Sequence, residues 1–289
     1  MTAAQNLYPD ADGVLRAHPT GLIEQTNDEY HSGPGISKSH LDTIATGSPR
    51  HYWHKYLNPQ RVRQPPTPEM IMGTAVHTAV LEPDLFPSEV IQSPGFDRRT
   101  KAGRAEYEAF QAEHAGKIIL DQDDYAICLA IRDAVYQHPV AAGLLRAPGK
   151  AEQSFYAIDP ETGELIKCRP DYLHDSGELI VDLKTTKDAS PAGFGRSAAN
   201  LRYPVQTAWY NGILDLLYGE HPETWVFLAV EKEPPYAIGL YYVEPEDIER
   251  ARIAARRDLL TIAHHKRTGE WPDWGMEPQP LVLPAWSKM

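Results

Sequence analysis

Residues Arg169–Lys187 read RPDYLHDSGELIVDLKTTK. Two β-like runs flank the turn signal Ser176–Gly177, so the stretch predicts a hairpin. It also carries Asp171, Asp182 and Lys184 beside residues of apolar type. A carboxylate is costly to bury unless something positive meets it. Either these are ordinary strand-end charges, or the fold gathers them into a metal site.

Asp182 and Lys184 are two apart on the predicted strand and so leave the same face. Asp171 precedes Asp182 by eleven positions, about the length of a hairpin, and is expected opposite it. Glu152, in AEQSFYAI, is expected one strand further upstream. Three carboxylates and an ammonium on neighbouring strands would offer the hard oxygen ligands that suit Mg²⁺ or Mn²⁺. With a lysine to orient water, this is an arrangement for cleaving a phosphodiester. Taken alone, Pro-Asp followed by Asp-x-Lys is a short pattern with many chance occurrences, and the structural alternative stays open.

The totals narrow the field. A chain of 289 residues with 42% hydrophobic and 24% charged residues fits a globular protein. No run approaches the roughly 20 apolar residues of a membrane span, and the start MTAAQNLYPDADG lacks the pattern of a signal peptide. Cys128 and Cys168 are the two cysteines, too few for a disulfide framework, a four-cysteine zinc site or a cysteine-ligated iron–sulfur cluster. A reducing, cytoplasmic setting is expected. Lys and Arg total 28 against 40 Asp and Glu, a formal charge of −12. That disfavours a protein that coats DNA over its whole surface, but not an enzyme with a local basic channel, because phosphate attraction acts over about 8–10 Å.

Along the chain, residues 1–35 are polar and interrupted by Gly and Pro, which predicts an extended arm, with the N-terminal arm proper assigned to 1–30. ISKSHLDTIATGSPRHYWHKYL predicts two short helices, capped by Ser37 or Ser39 and by Ser48 with Pro49. EMIMGTAVHTAVLEP predicts a buried helix, and Asp121 to about Leu145 another helical stretch. AEQSFYAID, ELIKCRPDYLHD and ELIVDLKTT predict a meander of hairpins. YPVQTAWYNGILDLLYG reads as a helix, TWVFLAVE and YAIGLYYVE as strands, and PEDIERARIAARRDLLTIAHHKR as a closing helix, acidic first and basic last. There is no internal repeat. The expected fold is one mixed α/β domain over 31–269, followed by an irregular tail over 270–289.

Two more features bear on the site. Gln206 and Tyr210 are i and i+4 on one helix face, and Gly73 and His77 share that spacing on the earlier helix. A single histidine on an apolar helix is more often a hydrogen-bonded core residue than a ligand. In order, however, the chain reads G-x-x-x-H, E, P-D, D-x-K and Q-x-x-x-Y. That order resembles the RecB-like branch of the PD-(D/E)XK nucleases. MGTAVHTAVLEP, FDRRTKAGRAEYEAF, CRPDYL and VDLKTTKDASPAGFGRSAANLRYPVQTAWY resemble the nuclease domain of the exodeoxyribonuclease VIII (RecE) family, from about Tyr30 to about Arg267.

The resemblance implies a restriction-endonuclease-like core: a mixed central β-sheet flanked by helices, with a helical N-terminal part. It implies Asp171 and Asp182 as metal ligands, with the Leu183 carbonyl and the His77 imidazole as further candidates. Glu152 would serve a second metal or its water shell, Lys184 would hold the attacking water, and Gln206 and Tyr210 would position the scissile strand or the lysine. The implied reaction is Mg²⁺-dependent 5′→3′ exonucleolysis of linear double-stranded DNA, with Mn²⁺ substituting, leaving 3′ single strands for recombination. Implied partners are duplex DNA ends, a RecT-like single-strand annealing protein and further copies of the chain in a ring. Arg98, Arg99, Lys101 and Arg104 in DRRTKAGR would line the channel or hold a 5′ phosphate, the plain alternative being a solvated loop. The rivals are a single-strand exonuclease or endonuclease of the same fold, a non-catalytic DNA-end-binding module, and a metalloprotein built on the twelve scattered histidines.

Overall fold

The computed structural model describes residues 7–9, 15–62, 64–275 and 277–283. Strands β1 (Leu7–Pro9) and β2 (Leu15–Ala17) pair as an antiparallel hairpin. β3 (Gly21–Ile23) and α1 (Asn27–Ser32) follow, with Thr26 and Glu29 forming a capping box. Residues 21–32, read above as extended arm, thus carry a strand and a capped helix. The reason is the strand partner found further along the chain: β3 pairs with residues 154–156, a non-local contact that the polar sequence does not announce.

α2 (Lys38–Thr46) and α3 (Pro49–Tyr52) are the two short helices, begun at Ser37 and Ser48, and α3 runs into a π-helical turn over Trp53–Leu57. α4 (Pro68–Leu81) starts at Thr67, whose hydroxyl accepts from the Met70 N–H, and buries Ala75, Val76, Ala79 and Val80. Then come α5 (Phe86–Glu89), β4 (Val90–Gln92), α6 (Lys101–Glu113) and β5 (Ile118–Leu120), with β4 and β5 paired in parallel. The helical stretch after Asp121 is two helices, α7 (Gln122–Gln137) and α8 (Pro139–Arg146). Pro139 cannot donate its missing N–H to a continuing helix, so it starts the second one.

β6 (Gly149–Ala151), β7 (Ser154–Ile158), β8 (Leu165–Cys168), β9 (Tyr172–His174) and β10 (Leu179–Thr186) replace the expected meander with two sheets. One has the order β3-β7-β8. The other continues through α9 (Pro191–Asn200), α10 (Tyr203–Tyr218), β11 (Thr224–Glu231) and β12 (Ile238–Tyr241) to give the order β12-β11-β10-β9-β6. The chain changes sheet twice. Between β6 and β7 it turns at Glu152, whose φ is 53°. Between β8 and β9 it turns at Arg169–Asp171, where Pro170 has no N–H to give a ladder. Both changes of sheet carry predicted site residues.

β10 and β11 are parallel, joined through α9 and α10, and the rest of the larger sheet is antiparallel. Their outward alternation feeds two cores. Ile180 and Phe227 face one that contains α10, α2 and α11 (Pro245–Thr268). Val181, Leu183, Leu228 and Val230 face another that contains α4 and α7. Burial on both faces is why these strands read as nearly unbroken apolar runs; each fully buried leucine contributes roughly 2 kcal/mol. An aspartate in the middle of such a run, Asp182, therefore stands out. Cys128 and Cys168 are buried free thiols in separate cores. Beyond α11, Trp271 stacks on Tyr52 at 5.6 Å. Among the described residues no helix is long and apolar enough to cross a membrane.

Candidate metal centre

The register Val181↔Tyr172 puts β9 beside β10 and leads, one step on, to Asp171 beside Asp182. Asp171 sits just past the proline, where β9 has not yet begun, and its Oδ2 accepts the Leu183 N–H at 2.8 Å. N–H and C=O of one strand residue leave on the same side, so the Leu183 carbonyl also points to the Asp171 edge. α4 brings His77 to this edge: Nδ1 lies 3.5 Å from Glu152 Oε1 and 3.7 Å from Asp171 Oδ2. Glu152 lies at the turn between strands rather than on one, as the spacing had suggested, and its N–H donates to the Asp171 carbonyl at 3.1 Å. Ligand atoms of His77, Glu152 and Asp171 all fall within 4.8 Å of one another.

A second group of contacts is centred on Asp182, next to Asp171. Asp182 is fully buried. Its Oδ2 accepts from Gln206 Nε2 on α10, and its Oδ1 faces the Lys184 ammonium as an ion pair outside hydrogen-bond geometry. Lys184 also lies 5.2 Å from the centre of the Tyr203 ring. Tyr210 follows Gln206 by one turn, but its ring packs edge-on against Trp225 at 5.4 Å. His77, Glu152 and Asp171 thus form one group of close contacts and Asp182, Lys184 and Gln206 a second one beside it, with Leu183 between them and Tyr210 in the adjoining core.

Charge couples the two groups. Burial would lower the His77 pKa, but Asp171 and Glu152 outweigh it and hold it at about 9. Burial, then the Asp182 charge, push Asp171 up to about 7. Glu152 is raised by burial, yet the His77 and Arg169 cations more than offset this and hold it below the ordinary range. Burial works against the Lys184 ammonium, but Asp182 and Asp171 keep its pKa above the usual value. The cluster thus holds an imidazolium where a cation could sit, and a carboxyl that resists ionising without one. An imidazole and two carboxylates are a donor set that fits a divalent ion such as Mg²⁺ or Mn²⁺.

Of the basic loop, Arg98 and Arg99 precede α6, and Lys101 and Arg104 lie in its first turn; all four are exposed. Arg98 stacks on Tyr107 at 4.3 Å, and Arg98, Arg99 and Arg104 edge a cavity of about 750 Å³. Gly103 allows the loop to fold back: a Cβ there would lie 2.2 Å from the Asp97 carbonyl oxygen. Sequence reasoning passed over Arg169, whose Nε donates to Glu152 Oε2 at 2.8 Å. The available signal was its position directly before Pro170–Asp171.

Comparison with known proteins agrees with this architecture. The chain belongs to the family described as PDDEXK-like domain of unknown function (DUF3799), which matches residues 38–277. No curated protein sequence matches it significantly. Its fold is similar to that of a presumptive exonuclease from Eubacterium rectale, with a TM-score of 0.61 at 15% identity, covering 90% of this chain and 97% of the other. A phage-related exonuclease from Haemophilus somnus 129PT covers 59% of this chain and 85% of its own at 12% identity, but its TM-score of 0.33 carries no argument.

Proposed function

We propose that this PDDEXK-like protein is a divalent-cation-dependent nuclease, acting as a 5′→3′ exonuclease on linear duplex DNA and leaving 3′ single-stranded tails. The observation that carries the nuclease reading is the convergence of His77, Glu152 and Asp171 within 4.8 Å, with Lys184 on the neighbouring strand of the same sheet. Support comes from family membership and from likeness to a fold described in another organism as an exonuclease. Duplex substrate and polarity rest on the sequence resemblance to the RecE family.

In this reading His77 Nδ1, Glu152 Oε1 and a carboxylate oxygen of Asp171 would hold Mg²⁺ or Mn²⁺, with Asp182 and the Leu183 carbonyl as the further ligand candidates. The ion supplies Lewis acidity toward phosphate and lowers the pKa of water bound to it. A ligating imidazole is neutral, so His77 would have to give up its proton to take that role. Lys184 remains an ammonium and has only donors to offer, so it orients the attacking water through the water's lone pair and offsets charge on the phosphate. Gln206 and Asp182 keep that ammonium in place. Arg98, Arg99, Lys101 and Arg104 are proposed to track the DNA backbone or its 5′ phosphate. A ring of subunits that encloses DNA, working beside a RecT-like annealing protein, would reconcile the chain's −12 charge with an acidic substrate.

Digestion of linear duplex DNA labelled separately at its 5′ and 3′ ends, with Mg²⁺ or EDTA, tests the reading. Early release of 5′ label as mononucleotide in Mg²⁺ alone is expected. Surviving duplex with cut single strands or circles would replace the substrate assignment. DNA-end binding without any cutting would replace the enzyme with a binding module.

A further inference from the structure

Arg169 has no part in the chemistry above, yet its side chain is nearly enclosed beside the cluster. We infer that Arg169, clamped by Ser154 and by residues 21–33, fixes the direction in which Glu152 presents Oε1 to the cation site, making the N-terminal segment part of the metal-binding machinery. This rests on the metal-site reading and adds a positioning residue to it.

Glu152 needs such a guide. Its φ of 53° is left-handed, a conformation that a non-glycine residue holds only where its surroundings enforce it. The turn throws the side chain off the strand and between two cations. Oε2 takes the Arg169 Nε–H at 2.8 Å, which leaves Oε1 toward His77. Arg169 is itself fixed on its other donor edge. Nη1 donates to Ser154 Oγ at 2.5 Å and to the Gln25 carbonyl at 3.3 Å, and the guanidinium lies 5.7 Å from the centre of the Tyr30 ring.

Ser154 lies on β7, and Gln25 and Tyr30 belong to the segment before the family match, which begins at residue 38. The pairing Ile23↔Ser154 sets the Gln25 carbonyl beside the clamp. Buried Lys167 donates to the carbonyls of Tyr30 (2.5 Å) and Gly33 (2.9 Å), tying the end of α1 to β8. The sequence of contacts runs from β3 and α1 to Arg169, to Glu152 Oε2, and ends at the oxygen offered to the ion. A guanidinium suits this role because its donors leave in fixed directions, which a lysine ammonium of equal charge cannot reproduce.

The test is Mn²⁺ binding to the full chain, followed by the electron paramagnetic resonance signal of free Mn²⁺ for wild type, Arg169→Lys, Glu152→Gln and the double variant. Arg169→Lys keeps the charge and loses the direction; a rise in Kd of about 10-fold or more is expected, the range typical of partners that orient ligands. In the Glu152→Gln background the same change should add little, because the effect passes through that carboxylate. Circular dichroism melts of the apo forms check folding, and Ser154→Ala, a smaller change, should weaken binding severalfold in the same direction. Unchanged affinity in Arg169→Lys, or an equal loss with and without Glu152, overturns the inference while leaving the site intact. Mn²⁺ binding that is absent, or indifferent to Asp171→Asn, overturns the metal site and the inference with it.

Discussion

The two carboxylate sets beside β9 and β10 contrast in what they lack. Asp182 is 0% exposed and already neutralised by the Lys184 ammonium and the Gln206 amide. The side chain of His77 is 27% exposed, and Glu152 and Asp171 keep ligand atoms within 4.8 Å of it and of each other while bonding elsewhere to Arg169 and the Leu183 N–H. Asp182 carries one ammonium from its own strand yet keeps a buried oxygen without a hydrogen bond, whereas the second set offers three ligand atoms to a common point. Acids of one sheet thus meet different cations: Asp182 a lysine two residues along its own strand, Glu152 and Asp171 an imidazole that a distant helix brings in.

The largest expected effect separates the two sets by activity. Lys184→Met should lower DNA hydrolysis by at least about 10²–10³-fold, the range for losing one preorganised donor to transition-state charge. It should also leave Asp182 buried and uncompensated, so its unfolding in urea should show a loss of about 3–5 kcal/mol. Asp182→Asn strands the opposite charge and should lose a similar amount.

Asp171→Asn should move stability the other way. Its carboxyl is raised to about 7 by burial and by Asp182, so removing its charge at pH 8 without metal should raise stability by about 1–3 kcal/mol. The same change should weaken Mn²⁺ binding. Destabilisation of the apo form by Asp171→Asn, as by Asp182→Asn, would erase the contrast.

A pH series sharpens the contrast further. Asp171 and His77 both bind protons more tightly when folded. Stability from Asp171 is present below its unfolded pKa near 3.9 and is lost as pH rises toward about 7. That from His77 is present below about 6.5 and is lost as pH rises through about 9. Thermal melts without metal should therefore fall steadily from pH 6 to 9. Mg²⁺ should reverse the trend above pH 7, since it takes the place of the protons. The smallest effect belongs to Tyr210→Phe, which keeps the ring against Trp225 and should change stability by no more than about 1 kcal/mol.

Much of this was legible in the sequence. The mixed α/β fold followed from strand and helix periodicities, and the turn signals between AEQSFYAID, ELIKCRPDYLHD and ELIVDLKTT separated the strands around the site. Pro-Asp and Asp-x-Lys identified the relevant strands. What stayed hidden depends on non-local contacts. Nothing local to AEQSFYAID marks Glu152 as the point where the chain leaves one sheet for another, and nothing in residues 21–23 marks β3 as a partner of β7. The bond from Gln206 to Asp182 also depends on where α10 packs against β10. Arg169 looked like a flanking residue because its acceptors are scattered from Gln25 to Ser154.

The division of labour between the two sets can be tested on Lys184→Met by measuring Mn²⁺ binding and duplex digestion in the same preparation. The account predicts that the variant binds Mn²⁺ at least as tightly as wild type, having lost a neighbouring positive charge, while digestion in Mg²⁺ disappears. Digestion at the wild-type rate, or loss of Mn²⁺ binding in a variant that remains folded, would contradict it.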